Sequence, residues 1–66
     1  MRLTVNGDAR DVPDGTTVVG LLELLGLPPR SVVVEQNGTA LLASEVPSAT
    51  LADGDVLELV RAVAGG

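Results

Sequence analysis

Cysteine, histidine, lysine, phenylalanine, tyrosine and tryptophan are all absent from this chain of 66 residues. Without cysteine there is no disulfide and no thiolate, and without cysteine or histidine a zinc site of the usual kind has no ligands. An imidazole base, a Schiff-base amine and a phenol are missing as well, which leaves hydroxyls and carboxylates as the only reactive side chains. The chain is therefore not expected to be an enzyme in its own right, nor to hold a metal or cofactor. Base stacking is ruled out by the lack of aromatics. Positive charge is confined to Arg2, Arg10, Arg30 and Arg61 against nine aspartates and glutamates, a formal charge of −5. No basic stripe exists to neutralise phosphates, and an anionic membrane surface would repel the chain. The most apolar run, residues 18–27, contains Glu23 and falls well short of a membrane span. Polar residues from Asn6 onward break any secretory leader before its apolar core forms. Neither nucleic acid nor membrane is an expected partner, and the cytoplasm is the expected location, the absence of cysteine fitting a reducing compartment.

What remains is aliphatic: 45% of the residues are hydrophobic, enough for one small domain with one core. Leu3 and Val5 alternate with Arg2 and Thr4 and run into Asn6-Gly7, the sequence of a two-residue hairpin turn. That loop sets Val5 opposite Asp8 and Met1 opposite Val12, with Met1, Leu3, Val5 and Val12 on one face. It also sets Arg10 opposite Leu3, which suits an edge strand from which the guanidinium reaches water. Pro13-Asp14-Gly15 is turn chemistry. Thr16-Thr17 offers an N-cap, and Val18, Leu21, Leu22 and Leu25 recur at i, i+3, i+4 and i+7. The spacing predicts an amphipathic helix of about two and a half turns, its stripe widened by Val19 and Leu24, stopped at Gly26 and kept from continuing by Pro28-Pro29.

Val32-Val33-Val34 is a β-branched run that ends at a second turn, Asn37-Gly38, after which Leu41-Leu42 is expected to pair back as a short strand. Residues 43–47 read as a single helical turn or loop, with Leu51 as the apolar anchor of this irregular stretch. Asp53-Gly54-Asp55 is a tight turn, and Leu57 and Leu59 then alternate with Glu58 and Arg61. One helix covers one face of a sheet only, and a right-handed crossover makes a later strand parallel to the first. The long last strand suits that central place. The expected fold is α+β, a β-grasp: a mixed sheet of four or five strands on one main helix, with residues 1–62 as the domain and 63–66 as a flexible tail. Its core is expected to hold Leu3, Val5, Val18, Leu21, Leu22, Leu25, Val32, Val34, Leu51, Leu57 and Leu59. Val56, Glu58, Val60 and Ala62 then line the open face beside Arg2 and Thr4.

Gly65-Gly66 closes the sequence. At this glycine content two such residues would fall there by chance in about one chain in seventy, which by itself decides little. Behind the last strand of a β-grasp it decides more. In order and spacing, Leu3-Thr4-Val5-Asn6-Gly7, Asp14-Gly15-Thr16-Thr17-Val18 with Leu21-Leu22, Asn37-Gly38, Leu51-Ala52-Asp53-Gly54-Asp55 and Gly65-Gly66 resemble the ubiquitin-like sulfur carriers of the ThiS/MoaD group, most closely the ThiS type of thiamine biosynthesis. Where that family often has an arginine and a tryptophan, this chain has Ala43 and Val46.

The resemblance implies a carrier and not a catalyst. A ThiF-like adenylyltransferase uses ATP and Mg²⁺ to adenylate the terminal glycine, here Gly66. Sulfur from a relay protein's persulfide replaces AMP, and the resulting thiocarboxylate donates sulfur to a ThiG-like thiazole synthase. Ala64 and Gly65 belong to the tail that enters the partner's active site, where residues with little or no Cβ allow close approach to the reacting carbonyl. Val56, Glu58, Val60 and Arg61 are the candidates for partner docking. Two neighbouring readings stay open: a carrier for molybdopterin or cysteine synthesis, and a ubiquitin-like protein modifier whose first step is the same adenylation.

Overall fold

The computed structural model describes residues 1–62. The expected tail, with Ala64, Gly65 and Gly66, lies outside the described residues. Five strands, one helix and one 3-10 turn follow in the order β1 (Arg2–Val5), β2 (Asp8–Asp11), α1 (Val18–Leu24), β3 (Val32–Gln36), β4 (Thr39–Ala40), the 3-10 turn Val46–Ser48, and β5 (Val56–Arg61). The strands form one sheet in the order β2-β1-β5-β3-β4. β5 runs parallel to β1 and antiparallel to β3, so the last strand does take the central place.

Both Asn-Gly turns form as expected, with φ of 49° at Asn6 and 52° at Asn37 and positive φ at Gly7 and Gly38. The first hairpin has the anticipated register, Val5 opposite Asp8 and Leu3 opposite Arg10. Met1 and Val12 exchange backbone hydrogen bonds of 2.8 and 2.9 Å beyond it. β2 is an edge strand and all four of its residues are exposed, which lets Arg10 reach water. Each turn asparagine also grips β5. Asn6 Oδ1 accepts from the Leu59 N–H at 2.7 Å and Asn6 Nδ2 donates to the Leu59 carbonyl at 3.3 Å. On the other side Asn37 Oδ1 accepts from the Val56 N–H at 2.9 Å.

Thr17 is the N-cap of α1, its hydroxyl accepting from the Gly20 N–H at 3.1 Å. The helix ends at Leu24, about two turns long, half a turn shorter than the periodicity suggested. Its end is a Schellman motif: the Gly26 N–H donates to Glu23 and the Leu27 N–H to Leu22 at 3.0 and 2.9 Å, with Gly26 at φ 73°. Leu25 is thus the C-cap. Leu24 does not join the apolar stripe; it is 63% exposed, whereas Val19 is half-buried against the core. At about 100° per residue both lie roughly 110° from the stripe's centre, on opposite flanks. The 3-10 turn packs against the helix on one side and shares a groove wall with Val19; Leu24 has no such cover.

Leu3, Val5, Val18, Leu21, Leu22, Val34 and Leu57 are buried as expected, and Leu25, Val32, Leu51 and Leu59 are half-buried against them. Val12 and Val46 complete the buried core. In the irregular stretch, then, Val46 is the buried anchor and Leu51 only flanks it. The second correction here concerns β4, which is Thr39–Ala40 and not Leu41-Leu42. The two-residue loop brings Thr39 directly opposite Gln36. Leu41 adds one further bond, its N–H donating to Val34 at 2.8 Å, and Leu42 already belongs to a turn whose carbonyl accepts from the Glu45 N–H at 2.8 Å.

Candidate functional site

Successive side chains of a strand point to opposite faces, and the register of β5 fixes which they are. Leu57 stands beside Val5, and Leu59 beside Val34, on the side covered by α1. Val56, Glu58 and Val60 therefore point away from the helix. Val56 adjoins Thr4 of β1, Glu58 faces Glu35 of β3, and Val60 faces Val33. Val33, Val56 and Val60 are 46, 45 and 52% exposed. The open face thus carries an apolar pair, Val33 and Val60, at the end of β5 from which residues 63–66 depart. Next along the strand comes a pair of carboxylates, and Val56 with Thr4 lies beyond them.

Three of the four expected docking residues, Val56, Glu58 and Val60, share this face. Arg61 does not. It lies opposite Val32, on the helix-facing side, because its position differs by an odd number from that of Val60. Val33 takes its place as the residue missed by the sequence reading; pairing the valine run with β5 in this register would have revealed it.

Electrostatics distinguish the two ends of the open face. Glu35 and Glu58 are like charges directly across a strand pair, an arrangement that costs stability on its own and is relieved by a cationic partner. At the far end Arg2 Nε meets Asp11 Oδ1 at 3.1 Å. Hydrogen bonding from Arg2, followed by its charge, holds the Asp11 carboxyl below the usual aspartate range, and the same contact raises the Arg2 guanidinium. Asp55 anchors the turn that starts β5. Its carboxylate accepts from Asn37 Nδ2 at 3.0 Å, from the Ala52 N–H at 2.8 Å and from Gln36 Nε2 at 2.9 Å. These bonds hold its pKa below the ordinary value, the Asn37 contact most strongly. The acidic Asp53-Gly54-Asp55 turn is consequently occupied by its own neighbours: Asp53 Oδ1 takes the Arg2 N–H at 2.6 Å.

Among the described residues no cluster of three or more metal-ligating side chains occurs, and no helix is long and apolar enough to cross a membrane. The described part of the chain offers an exposed face of valines and carboxylates on the central strand β5 and its neighbour β3.

Residues 3–66 match the model of the ThiS family. The sulfur carrier protein ThiS of Thermus thermophilus is 40% identical over 62 residues, covering 94% of this chain and 95% of that protein. The thiazole synthase of Paramagnetospirillum magneticum is 38% identical over 66 residues, all of this chain but only 20% of that protein. This chain thus spans about a fifth of the length of the thiazole synthases it matches. Among solved structures, the crystal structure of the thiamine biosynthesis protein ThiS from Geobacter metallireducens superposes with a TM-score of 0.83 at 35% identity, with all of both chains covered.

Proposed function

Because this chain belongs to the ThiS family, we propose that it is a sulfur carrier for thiamine biosynthesis in which the Gly66 carboxyl holds the sulfur. An α-carboxylate, with a pKa near 3.3–3.7, is ionised at neutral pH and a poor electrophile. A ThiF-like partner therefore activates it with ATP and Mg²⁺ as an acyl-adenylate. The terminal sulfur of a relay protein's persulfide displaces AMP to give an acyl disulfide. A second thiol cleaves its S–S bond and is itself left in a disulfide, and the thiocarboxylate so released on Gly66 passes its sulfur to a ThiG-like thiazole synthase. None of these steps asks the carrier for a base or nucleophile besides its carboxyl, in keeping with its side-chain repertoire.

The observation that carries this reading is the position of β5. β5, the central strand of the sheet, ends at Arg61, and Val60 of the exposed Val33–Val60 pair lies two residues before Ala62, the last residue described. A partner docked on that patch has the reacting end within reach, since four extended residues span about 13–14 Å. Similarity to part of a thiazole synthase over the whole of this chain favours thiazole formation over molybdopterin or cysteine synthesis.

The test is the intact mass of the protein ending at Gly66 after incubation with the ThiF-like enzyme, ATP, Mg²⁺, a persulfide donor and a thiol reductant. The expected change is one oxygen-to-sulfur exchange, preceded by release of pyrophosphate. A variant with one residue added after Gly66 is expected to stay unmodified, because its carboxyl sits about 3.5 Å too far along and misplacement by 1 Å already costs roughly a hundredfold in rate. Equal sulfur uptake by the extended variant, or conjugates on other proteins in place of a thiocarboxylate, overturns the proposal.

A further inference from the structure

The two edges of the sheet are unlike. β2 exposes Asp8, Arg10 and Asp11 along its length, charges of the kind that keep a further strand from pairing. At the other edge β4 has two residues and covers only part of β3. The ladder shows what is left over. The Asn37 N–H donates to Val56 and the Ala62 N–H to Ser31, both at 2.8 Å, so residues 31, 33, 35 and 37 turn their backbone polar groups towards β5. Val34 turns the other way and accepts from the Leu41 N–H at 2.8 Å. Val32 has the phase of Val34 but lies past the end of β4. Among the described residues no backbone partner meets its outward N–H or C=O.

Val32 itself lines a groove of about 770 Å³. Val32 and Val34 form one wall, Leu41, Val46 and Pro47 the other, and among the described residues Arg30 is the single ionisable one lining it. Among the described residues Arg30 has no carboxylate partner, the ion pairs being Met1–Asp14 and Arg2–Asp11.

We propose that this groove receives an extended segment of a partner polypeptide, which adds to the outer edge of β3 at Val32, seats alternate apolar side chains between the two walls and sets a carboxylate against Arg30. A strand is the occupant because one residue offers a donor and an acceptor side by side, the pattern that another peptide backbone matches and an apolar small molecule leaves unpaired. The volume falls within the roughly 300–1,000 Å³ of ordinary binding sites, room for a few extended residues. An acidic segment is selected because a lone arginine faces the groove of a chain whose formal charge is −5. The groove lies at the edge of the sheet and shares Val33 with the open face but includes neither Val56 nor Val60, and the inference stands whether or not Gly66 carries sulfur.

The experiment is a ¹⁵N NMR titration of the full chain with short acetylated, amidated peptides that alternate valine and threonine and end in glutamate or in lysine. The glutamate peptide is expected to shift the Ser31, Val32 and Leu41 amides. At ten times its Kd it is expected to slow exchange of the Val32 amide about tenfold. The lysine peptide is expected to bind about two- to fivefold more weakly, the span of an exposed ion pair, and Arg30→Glu to reverse that order. N-methylation of the peptide amides on the pairing edge is expected to abolish the Val32 protection. Shifts elsewhere, no shifts, or equal binding by the N-methylated peptide overturn the proposal. So does Val32 protection already present in the free chain that disappears on deletion of residues 63–66, or that grows with protein concentration; the first would assign the groove to the chain's own end, the second to another copy.

Discussion

Truncating Leu57 to alanine tests the two-faced reading of β5 most directly. Leu57 is fully buried at the centre of the sheet, beside Val5 of β1 and Gln36 of β3, in the cluster with Leu3, Leu22 and Val34. Leu→Ala at such a site costs about 2–5 kcal/mol, the larger values where the surroundings do not collapse into the cavity. At about 0.05–0.15 kcal/mol per residue, a chain of 66 residues has roughly 3–10 kcal/mol in total, so this single change removes between a fifth and all of it. The corresponding fall in Tm is about 8–40 °C for a domain of this size. The assay is urea unfolding followed by far-UV circular dichroism, since a chain without tryptophan or tyrosine has no intrinsic fluorescence to follow. Val60→Ala, three residues along on the opposite face and 52% exposed, serves as the control and is expected to cost less than about 1 kcal/mol. A Leu57→Ala protein that unfolds with the native midpoint, or a Val60→Ala protein as unstable as Leu57→Ala, means that β5 is out of register by one residue and that the face assigned to docking is the core.

Val60→Asp is expected to leave the fold in place and to weaken binding to the adenylating partner about tenfold or more, the effect of losing an interface anchor; calorimetric titration measures it, and unchanged affinity removes the valine patch from the account. Asn6→Gly retains a residue suited to φ of 49° but removes both side-chain bonds to Leu59; at about 0.5–1.5 kcal/mol per bond it should lower stability and speed exchange of the Leu59 amide. Asp55 gives the protein an acid limb. Its folded pKa is depressed, so its contribution is present above the unfolded value of about 3.9 and is lost as the pH falls through the lower folded value. Comparing acid titrations of the wild type and Asp55→Asn by circular dichroism checks this, the variant being expected to show a flatter fall in stability below the unfolded value.

Local features were legible because their physics is local. An Asn-Gly pair accepts positive φ at both turn positions whatever surrounds it, and Asn6-Gly7 and Asn37-Gly38 turned where expected. Thr17 caps and Gly26 stops the helix through bonds that span only a few residues. Alternation along β5 placed Val56, Glu58 and Val60 outward. It applied equally to Arg61, whose grouping with them was at odds with the period of two. The diglycine, the most informative element of the sequence for function, lies outside the described residues; what can be placed is the strand that leads to it and the face beside that strand.

The sequence by itself determined the turns, the cap and the alternating faces of β1 and β5, because each depends on residue type and short-range spacing. Only the tertiary structure decided that Val19 is covered and Leu24 is not, that Val46 and not Leu51 fills the irregular loop's place in the core, and that Val33 joins Val60 on the open face. The same holds for the unpaired edge at Val32, which exists because β4 stops short of it. These outcomes depend on which distant segment lies against a given side chain. Burial is a property of that pair of surfaces, and no spacing within one segment contains it.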